Sequence, residues 1–277
     1  MNESFGKKFI LNGVIEPAEI FDNSLVYEGD SVYEVIRMTK GYPVFFPDHM
    51  ERLETSVRLQ KKKMLATPEV LKKDIISLSR TEKKKEINLK VVFNYNKGEH
   101  NYLVYFIEPI YPSDDQYAHG VKGILFYAER KDPESKVINH KLRSSIYHKL
   151  ILEGAYEAIL VNEKGLVTEG SRSNIFFLKN GTLHTAPEKL VLNGITRKHV
   201  LDICAAGNIP VKMVAARSTK LADYEAAFMT GTSPMVLPFS MIDDIKFRVK
   251  VPLISHLRKL YLEKADESIE NFRNSRP

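Results

Sequence analysis

The sequence is poor in the residues and motifs that mark several common classes of protein. It has a single cysteine, Cys204, so an internal disulfide is excluded and a reducing compartment is expected. Its histidines show no HExxH spacing, and with only one thiol in the chain we expect no metal site. GxGxxG, Walker and Gly-x-Ser-x-Gly motifs are all missing, so Rossmann, P-loop and hydrolase functions have no support.

Long hydrophobic runs are also missing. No apolar stretch reaches membrane-spanning length, and the N-terminal residues lack the apolar core of a signal peptide. Hydrophobic residues nevertheless make up 43% of the chain and charged residues 27%, which predicts a globular protein with a sizeable core. We therefore expect a cytoplasmic protein without membrane contact.

The positive charge is concentrated in one segment. Residues 58–90 hold 11 Lys or Arg and 4 Asp or Glu, while the whole chain has a net charge of +6. A basic segment can bind nucleic acid, but this one contains no aromatic residue on which bases could stack. Its lysines alternate with apolar positions in the pattern of solvated helix faces. Nucleic-acid binding is therefore the disfavoured interpretation.

Strands and helices are mixed along the whole chain. Asn12-Gly13 and Lys40-Gly41 predict tight turns between strands, and Pro47-Asp48 and Thr67-Pro68 predict helix starts. Further strands are predicted at LKVVFNY, NYLVYFIEPI, GVKGILFYAER, EAILVN, SNIFFL and EAAFMTG, with helices over 141–153 and at TRKHVLDICAAG. The polar segment near residues 113–120 is the best candidate for a linker. The pattern predicts an α+β, or mixed α/β, fold.

Three places could hold an anion. A glycine precedes Ile195 and Thr196 at the opening of a predicted helix, where backbone N–H groups and a hydroxyl suit a phosphate. Gly231 lets the backbone approach a ligand closely after a strand, and Thr232 adds a donor. Arg52, on the first predicted helix, could clamp a phosphate.

Lys136 and Glu169 enclose a predicted helix, a strand, a turn and a second strand. A lysine that forms a Schiff base and a carboxylate that pairs with a pyridinium nitrogen are the protein groups that pyridoxal phosphate (PLP) chemistry requires. Most lysines and glutamates are solvated surface charges, so this pair gains its weight from the segments around it.

Four segments, GDSVYEVIR, TEGSRSNIFF, LNGITR and MTGTSP, together resemble the class IV (fold-type IV) PLP enzymes. This family includes branched-chain aminotransferase, D-amino-acid aminotransferase and aminodeoxychorismate lyase. The resemblance implies a two-domain fold of the D-amino-acid aminotransferase type, with a smaller N-terminal domain at 1–112, a linker at 113–120 and a larger cofactor-binding domain at 121–277. It also implies PLP bound between the domains and a homodimer.

The resemblance assigns a role to each matching residue. Lys136 would form the Schiff base, for which the family's spacing to Glu169 favours it over Lys141, and Glu169 would keep the pyridine nitrogen protonated. Tyr33 would be a third catalytic residue, facing the active site. The cofactor contacts would come from Arg52, Leu192, Ile195, Thr196, Gly231 and Thr232, in addition to Lys136 and Glu169.

The substrate stays open. Strand alternation places Tyr33, Val35 and Arg37 on one face, and Lys90 and Lys97 are further cations that could bind a substrate carboxylate. The favoured function is PLP-dependent transamination between an amino acid and a 2-oxo acid, similar to branched-chain aminotransferase. The alternative is a 4-amino-4-deoxychorismate lyase that releases pyruvate. A basic nucleic-acid-binding protein without catalysis is disfavoured.

Overall fold

The computed structural model describes residues 3–96, 98–130 and 132–275, apart from the side chain of His140. The chain divides into two compact units, the first formed by Met1–Ile110, Ser135–Ile138 and Ala265–Pro277, and the second by Tyr111–Glu134 and Asn139–Lys264. Each unit contains one large sheet with helices, so the predicted α+β fold is confirmed.

The first unit is built on a six-stranded sheet in the order β2-β1-β6-β5-β3-β4. Its strands are β1 Lys8–Leu11, β2 Val14–Pro17, β3 Asp30–Thr39, β4 Tyr42–Pro43, β5 Ile87–Asn96 and β6 Glu99–Ile107, and its helices are α1 Ser24–Tyr27, α2 Phe46–Leu59 and α3 Pro68–Glu82. Asn12-Gly13 and Lys40-Gly41 both have positive φ at each residue, as the predicted hairpin turns require. Thr67 caps α3 by accepting a hydrogen bond from the Val70 amide.

Both faces of this sheet are covered, so nine of the ten residues of β5 are buried. One face packs on α2 and α3 through a core that includes Ile36, Leu53 and Ile75. The other face carries a smaller apolar cluster with Phe21, Val26, Tyr33 and Tyr105. Lys90 of β5 lies on this second face, beside Tyr33.

The second unit is built on a nine-stranded sheet in the order β12-β11-β10-β13-β14-β7-β8-β9, with β15 paired to β14. Its strands are β7 Val121–Tyr127, β8 Glu157–Val161, β9 Val167–Gly170, β10 Asn174–Lys179, β11 Thr182–Thr185, β12 Val211–Met213, β13 Ala226–Gly231, β14 Met235–Ile242 and β15 Ile245–Lys246. Its helices are α4 Asp114–His119, α5 His140–Glu153 and α6 Ile195–Ala206, and α7 Pro252–Asn274 contributes its residues up to Lys264.

The segment predicted as a linker, 113–120, contains the short helix α4. Ser113 and Gln116 form a reciprocal capping box that begins α4, and the helix belongs to the second unit. The chain divides after Ile110, close to the predicted end of the N-terminal domain at 112. The prediction of two contiguous domains does not anticipate that Ser135–Ile138 and Ala265–Pro277 join the first unit.

Candidate active site

In the first unit, strand β3 presents Tyr33, Val35 and Arg37 on one half-buried face, while the residues between them are buried on the other. This is the shared face that strand alternation predicts. Lys90 of β5 lies opposite Val35, so it belongs to the same face. Lys97, the remaining cation predicted to contact substrate, lies outside the described residues.

Lys136 is fixed beside the start of β3. Its carbonyl accepts a hydrogen bond from the Tyr33 amide (3.1 Å), and its own amide donates to Ser56 Oγ (3.2 Å). The next residue, Val137, forms a β-bridge with Val32. These contacts hold the Lys136 Nζ 5.0 Å from the centre of the Tyr33 ring. Lys141, in contrast, is exposed on α5, so the surroundings of the two lysines favour Lys136.

A buried ionic cluster lies between β3 and α2. The Glu34 carboxylate is fully buried and accepts hydrogen bonds from Arg52 Nε (2.8 Å) and Nη2 (2.6 Å). His49 Nδ1 lies 2.8 Å from the same carboxylate. Arg52, predicted to bind phosphate, is thus a buried residue whose guanidinium is oriented by a bidentate contact.

Burial and the neighbouring charges act in opposite directions on this cluster. Burial disfavours the ionised Glu34, but the charge and hydrogen bonds of Arg52 outweigh it and hold the pKa of that carboxyl far below its usual value. Burial lowers the pKa of His49, and the contact with Glu34 does not offset it. The neutral imidazole therefore donates Nδ1–H to an ionised Glu34. Neither Glu34 nor His49 was predicted as a site residue. Glu34 could have been found from the sequence, because it is a glutamate at a position of β3 that alternation directs toward the core.

Lys90, a predicted substrate contact, is only 1% exposed. Its ammonium donates to Glu3 Oε1 over 2.7 Å and lies 5.2 Å from the centre of the Tyr33 ring. The structure therefore places the carboxylate of Glu3 beside Lys90 on the Tyr33 face, where it compensates the lysine charge. Glu3 was not predicted.

In the second unit, Glu169 lies on β9 and is 3% exposed. Its Oε1 accepts from Arg130 Nη1 (3.2 Å) and its Oε2 from the backbone amide of Leu192 (2.9 Å). Both oxygens of this buried carboxylate thus accept a hydrogen bond. Leu192, predicted to pack on the cofactor ring, is thereby tied to Glu169 through its backbone. Arg130 was not predicted.

The first predicted anion site is the N-terminus of α6. Gly194 is the N-cap residue and makes no side-chain cap hydrogen bond, and the first amides of an α-helix have no intrahelical acceptor. Ile195 and Thr196 are buried in this first turn, and Thr196 Oγ1 lies 3.2 Å from the Tyr261 hydroxyl. A Cβ at Gly194 would collide with the side-chain oxygen of Asn174. Glycine is therefore required where the backbone passes this amide.

The second predicted anion site, Gly231-Thr232, is adjacent to the first. Gly231 ends β13, and the preceding residue, Thr230, pairs with Asn174 of β10. Asn174 Nδ2 also donates to the Leu192 carbonyl over 2.9 Å. The same asparagine thus contacts both the turn before α6 and the end of β13, so the sheet brings the two predicted anion turns together.

A buried carboxylate shapes the loop that follows Glu169. Glu157 Oε1 accepts from the backbone amide of Ser171 (3.0 Å) and Oε2 accepts from Ser173 Oγ (2.9 Å). A Cβ at Gly170 would collide with Ser173 Oγ and crowd the Glu157 side chain. The Gly-Ser-Arg-Ser sequence is therefore folded around Glu157, another residue that was not predicted.

Comparison with known proteins identifies the family. The sequence profile of the amino-transferase class IV family matches residues 31–242. The chain belongs to the amino-transferase class IV family. A relative is the D-alanine aminotransferase of Bacillus licheniformis, which is 29% identical over 78% of this chain and 80% of its own. The resemblance stated above and the prediction of an aminotransferase are confirmed.

Solved structures of class IV aminotransferases share the fold. The branched-chain aminotransferase of Thermoproteus uzoniensis, solved with norvaline, superposes with a TM-score of 0.84 at 24% identity and covers 96% of this chain and 97% of its own. The branched-chain aminotransferase of T.th., solved with pyridoxamine 5′-phosphate, has a TM-score of 0.83 at 25% identity and covers 96% of each chain.

The class IV family is PLP-dependent, and the residues present fit that cofactor. Amide donors at a helix N-terminus suit a phosphate ester, and α6 begins with such a turn after Gly194. A pyridine nitrogen requires a buried carboxylate, and Glu169 is one. Within the described ranges, no group of three or more His, Cys, Asp or Glu could hold a metal ion. No helix in those ranges is both long and apolar enough to cross a membrane.

Proposed function

We propose that this class IV aminotransferase binds PLP covalently through Lys136 and transfers an amino group between an amino acid and a 2-oxo acid. The observation that carries the proposal is the fixed, half-buried position of Lys136 beside Tyr33. The profile match at 31–242 includes Lys136 and Glu169. Bound PLP supplies an aldehyde that condenses with amines and a ring that accepts electrons.

Lys136 would both hold the cofactor and move a proton. An amine acts as nucleophile or base only in its unprotonated form. In its unprotonated form, the Lys136 Nζ would take the proton from the substrate α-carbon and hold it for return. Hydrogen bonds to Tyr33 and Ser56 fix the backbone of Lys136, which restricts the positions that its amine can reach.

The remaining cofactor contacts are divided by chemistry. Glu169 would pair with the ring nitrogen, and Leu192 would pack on the ring. The phosphate would be bound by the turns at Ile195-Thr196 and Gly231-Thr232, through backbone amides and threonine hydroxyls. Arg52, oriented by Glu34, would add a charged contact.

The test of the proposal is chemical labelling. Borohydride should fix the cofactor on a peptide that contains Lys136, and the Lys136→Ala variant should lose both the label and turnover. The matched control is Lys141→Ala, five positions along the chain on the exposed side of α5, which should keep both. Label on a peptide with Lys141 alone would contradict the assignment.

The substrate is to be determined with both enantiomers, because named relatives include D-alanine and branched-chain aminotransferases. We propose transamination as the main activity and keep the lyase as the alternative. Pyruvate formed from aminodeoxychorismate without any amino acceptor would identify the lyase. Consumption of amino acids only in the presence of a 2-oxo acid would identify the aminotransferase.

We also propose a homodimer. Helix α5 exposes Tyr147, Ile151 and Leu152, whose side chains are 60–82% accessible in the single chain. Exposed apolar residues of this size mark interaction surfaces. Light scattering of the purified protein would test this assembly.

A further inference from the structure

Lys90 carries a charge into an apolar environment. It lies in the middle of β5, is 1% exposed, and its ammonium is surrounded by the rings of Tyr27, Tyr33 and Tyr105, with centres 5.2–5.8 Å away. A buried ammonium is strongly destabilising unless a counter-charge accompanies it. The identity of that counter-charge decides what else Lys90 can bind.

Glu3 supplies the counter-charge from the far end of the sequence. Its Oε1 accepts from Lys90 Nζ (2.7 Å) and its Oε2 from the Tyr105 hydroxyl (2.9 Å). Its backbone amide donates to Asn23 Oδ1 (3.1 Å), which fixes the segment. Burial raises the pKa of Glu3, but the Lys90 charge and the hydrogen bonds outweigh it, so the net pKa shift is downward. The carboxylate is therefore ionised at neutral pH.

The pair lies next to the proposed reactive lysine. The Tyr33 ring has the Lys136 ammonium 5.0 Å from its centre and the Lys90 ammonium 5.2 Å from it. Lys90 also shares the strand face of Tyr33 and Val35. An amino acid bound at Lys136 would thus lie near a lysine whose charge Glu3 already compensates.

We propose that Glu3 is a specificity-determining residue that neutralises Lys90, so that the enzyme favours amino acids with uncharged side chains over those with a second carboxylate. This inference rests on the proposed function of the Lys136 site. A second substrate carboxylate near Lys90 meets the negative charge of Glu3 and would have to displace it. Repulsion of this kind discriminates between substrates even where the attractive contacts are equal.

Glutamine and glutamate provide the sharpest test, because they are nearly isosteric and differ in charge. We expect wild-type kcat/KM, measured with pyruvate as acceptor and for both enantiomers, to favour glutamine by about tenfold or more. Glu3→Gln should raise the glutamate-to-glutamine ratio by about 10- to 100-fold, since the freed ammonium can form an ion pair with the glutamate side chain but meets only a neutral acceptor in glutamine.

Two further variants make the result specific. Glu19→Gln is the matched control, because Glu19 is exposed in the short turn after β2 and its loss should leave the ratio unchanged. Adding Lys90→Met to Glu3→Gln should abolish the gain for glutamate. Should Glu3→Gln fail to fold, the wild-type ratio alone decides.

The outcomes separate the two levels of the proposal. If wild-type enzyme uses glutamate as well as glutamine, or Glu3→Gln changes both rates equally, the role of Glu3 is overturned while transamination stands. If wild-type protein neither retains PLP nor converts any amino acid, the proposed function fails and the specificity proposal falls with it.

Discussion

At the scale of single residues, the most consequential feature is the number of ionisable groups that are buried with a designated partner. Glu34, Glu157 and Glu169 are each at most 3% exposed, and each accepts hydrogen bonds from two or more donors. Removing one member of such a group leaves the others buried without compensation, which destabilises the protein more than loss of a surface charge. A substitution at one of these residues can therefore change turnover, the free energy of unfolding, or both, and the two must be measured separately.

Glu169→Gln should keep the cofactor and lose turnover. The amide preserves size but cannot balance a protonated ring nitrogen, so stabilisation of developing charge is lost. We expect kcat to fall by about 10²–10³-fold, the magnitude typical of one removed electrostatic contact. Cofactor absorbance and steady-state kinetics measured on the same preparation test this. Near-normal turnover on the best substrate would remove Glu169 from the mechanism.

His49→Gln should change how stability depends on pH. The pKa of His49 lies below its ordinary value of 6.5 in the folded state, so the unfolded chain binds the proton more tightly. Its contribution is therefore fully present above pH 6.5 and is lost as pH falls toward the folded pKa. Urea unfolding at pH 7.5, 6.5 and 5.5 should show the wild type losing more stability on acidification than the variant. A parallel pH dependence in both proteins would contradict the neutral imidazole.

Loss of the Glu34 contribution should follow at lower pH. The pKa of Glu34 is depressed below its ordinary value of 4.5, so its stabilising effect is complete above that pH and declines below it. His49→Gln retains Arg52 and Glu34, which makes this lower-pH loss common to both proteins. One titration of stability against pH can therefore separate the loss due to His49, below pH 6.5, from the loss due to Glu34, below pH 4.5.

At the scale of elements, the predicted anion site depends on contacts at glycine. The turn before α6 passes Asn174 so closely that only glycine fits at position 194. Asn174 cannot easily move, because its Nδ2 is bonded to the Leu192 carbonyl. Any added atom must instead displace the first turn of α6, where the phosphate is proposed to bind.

Gly194→Ala should accordingly weaken PLP retention and destabilise the fold by about 1–3 kcal/mol, the usual effect of overpacking. Equilibrium dialysis against PLP and thermal unfolding measure the two effects. Gly207→Ala, at the other end of the same helix, is the control. Its φ is −89° and its added Cβ would lie 3.3 Å or more from the neighbouring atoms, so PLP retention should be unchanged.

Local signals predicted many elements of this fold. The turns at Asn12-Gly13 and Lys40-Gly41 were each predicted from two adjacent residues, and so was the helix start at Thr67-Pro68. The polar segment 113–120 was predicted only as a linker, and the capping box of Ser113 and Gln116 is the local signal for the helix that it contains. Helix α7 was not predicted, although its buried Ile254, Leu257 and Tyr261 repeat at helical spacing.

Long-range partners explain what the sequence could not reveal about the site. Arg52 was predicted as a phosphate ligand from its motif, but its partner Glu34 is 18 positions away and gives no local pattern. Glu3 and Lys90 are 87 positions apart, and only the sheet brings them together. Such pairs arise from register and packing. The assignments of Lys136, Glu169 and the two anion turns stay predictions until cofactor binding is measured.

At the scale of the whole molecule, the first unit is assembled from three separate pieces of chain. The last piece is substantial, since Phe272 packs in its core with a ring-centre distance of 5.3 Å to Phe46. Ser268 Oγ accepts from the Phe45 amide, and Lys72 Nζ donates to the Ser275 carbonyl. The N-terminal residues alone therefore lack part of their own core.

A fragment of residues 1–110 should not unfold cooperatively. Loss of a buried phenylalanine alone is worth about 3–5 kcal/mol, which is a large share of the stability of a small domain. Joining residues 265–277 to the fragment through a flexible Gly/Ser linker should restore a cooperative transition in urea. A fragment 1–110 that unfolds cooperatively by itself, with unchanged stability, would contradict this reading of the contacts.

The same division of the chain has a consequence for biosynthesis. During translation, β1 to β6 leave the ribosome long before Phe272 is made, and the second unit is synthesised in between. The first unit therefore stays incompletely packed until the C-terminal part of α7 has been synthesised. Chaperone demand should accordingly persist until residues 265–275 have been synthesised, and rare codons placed just before Ala265 should prolong it.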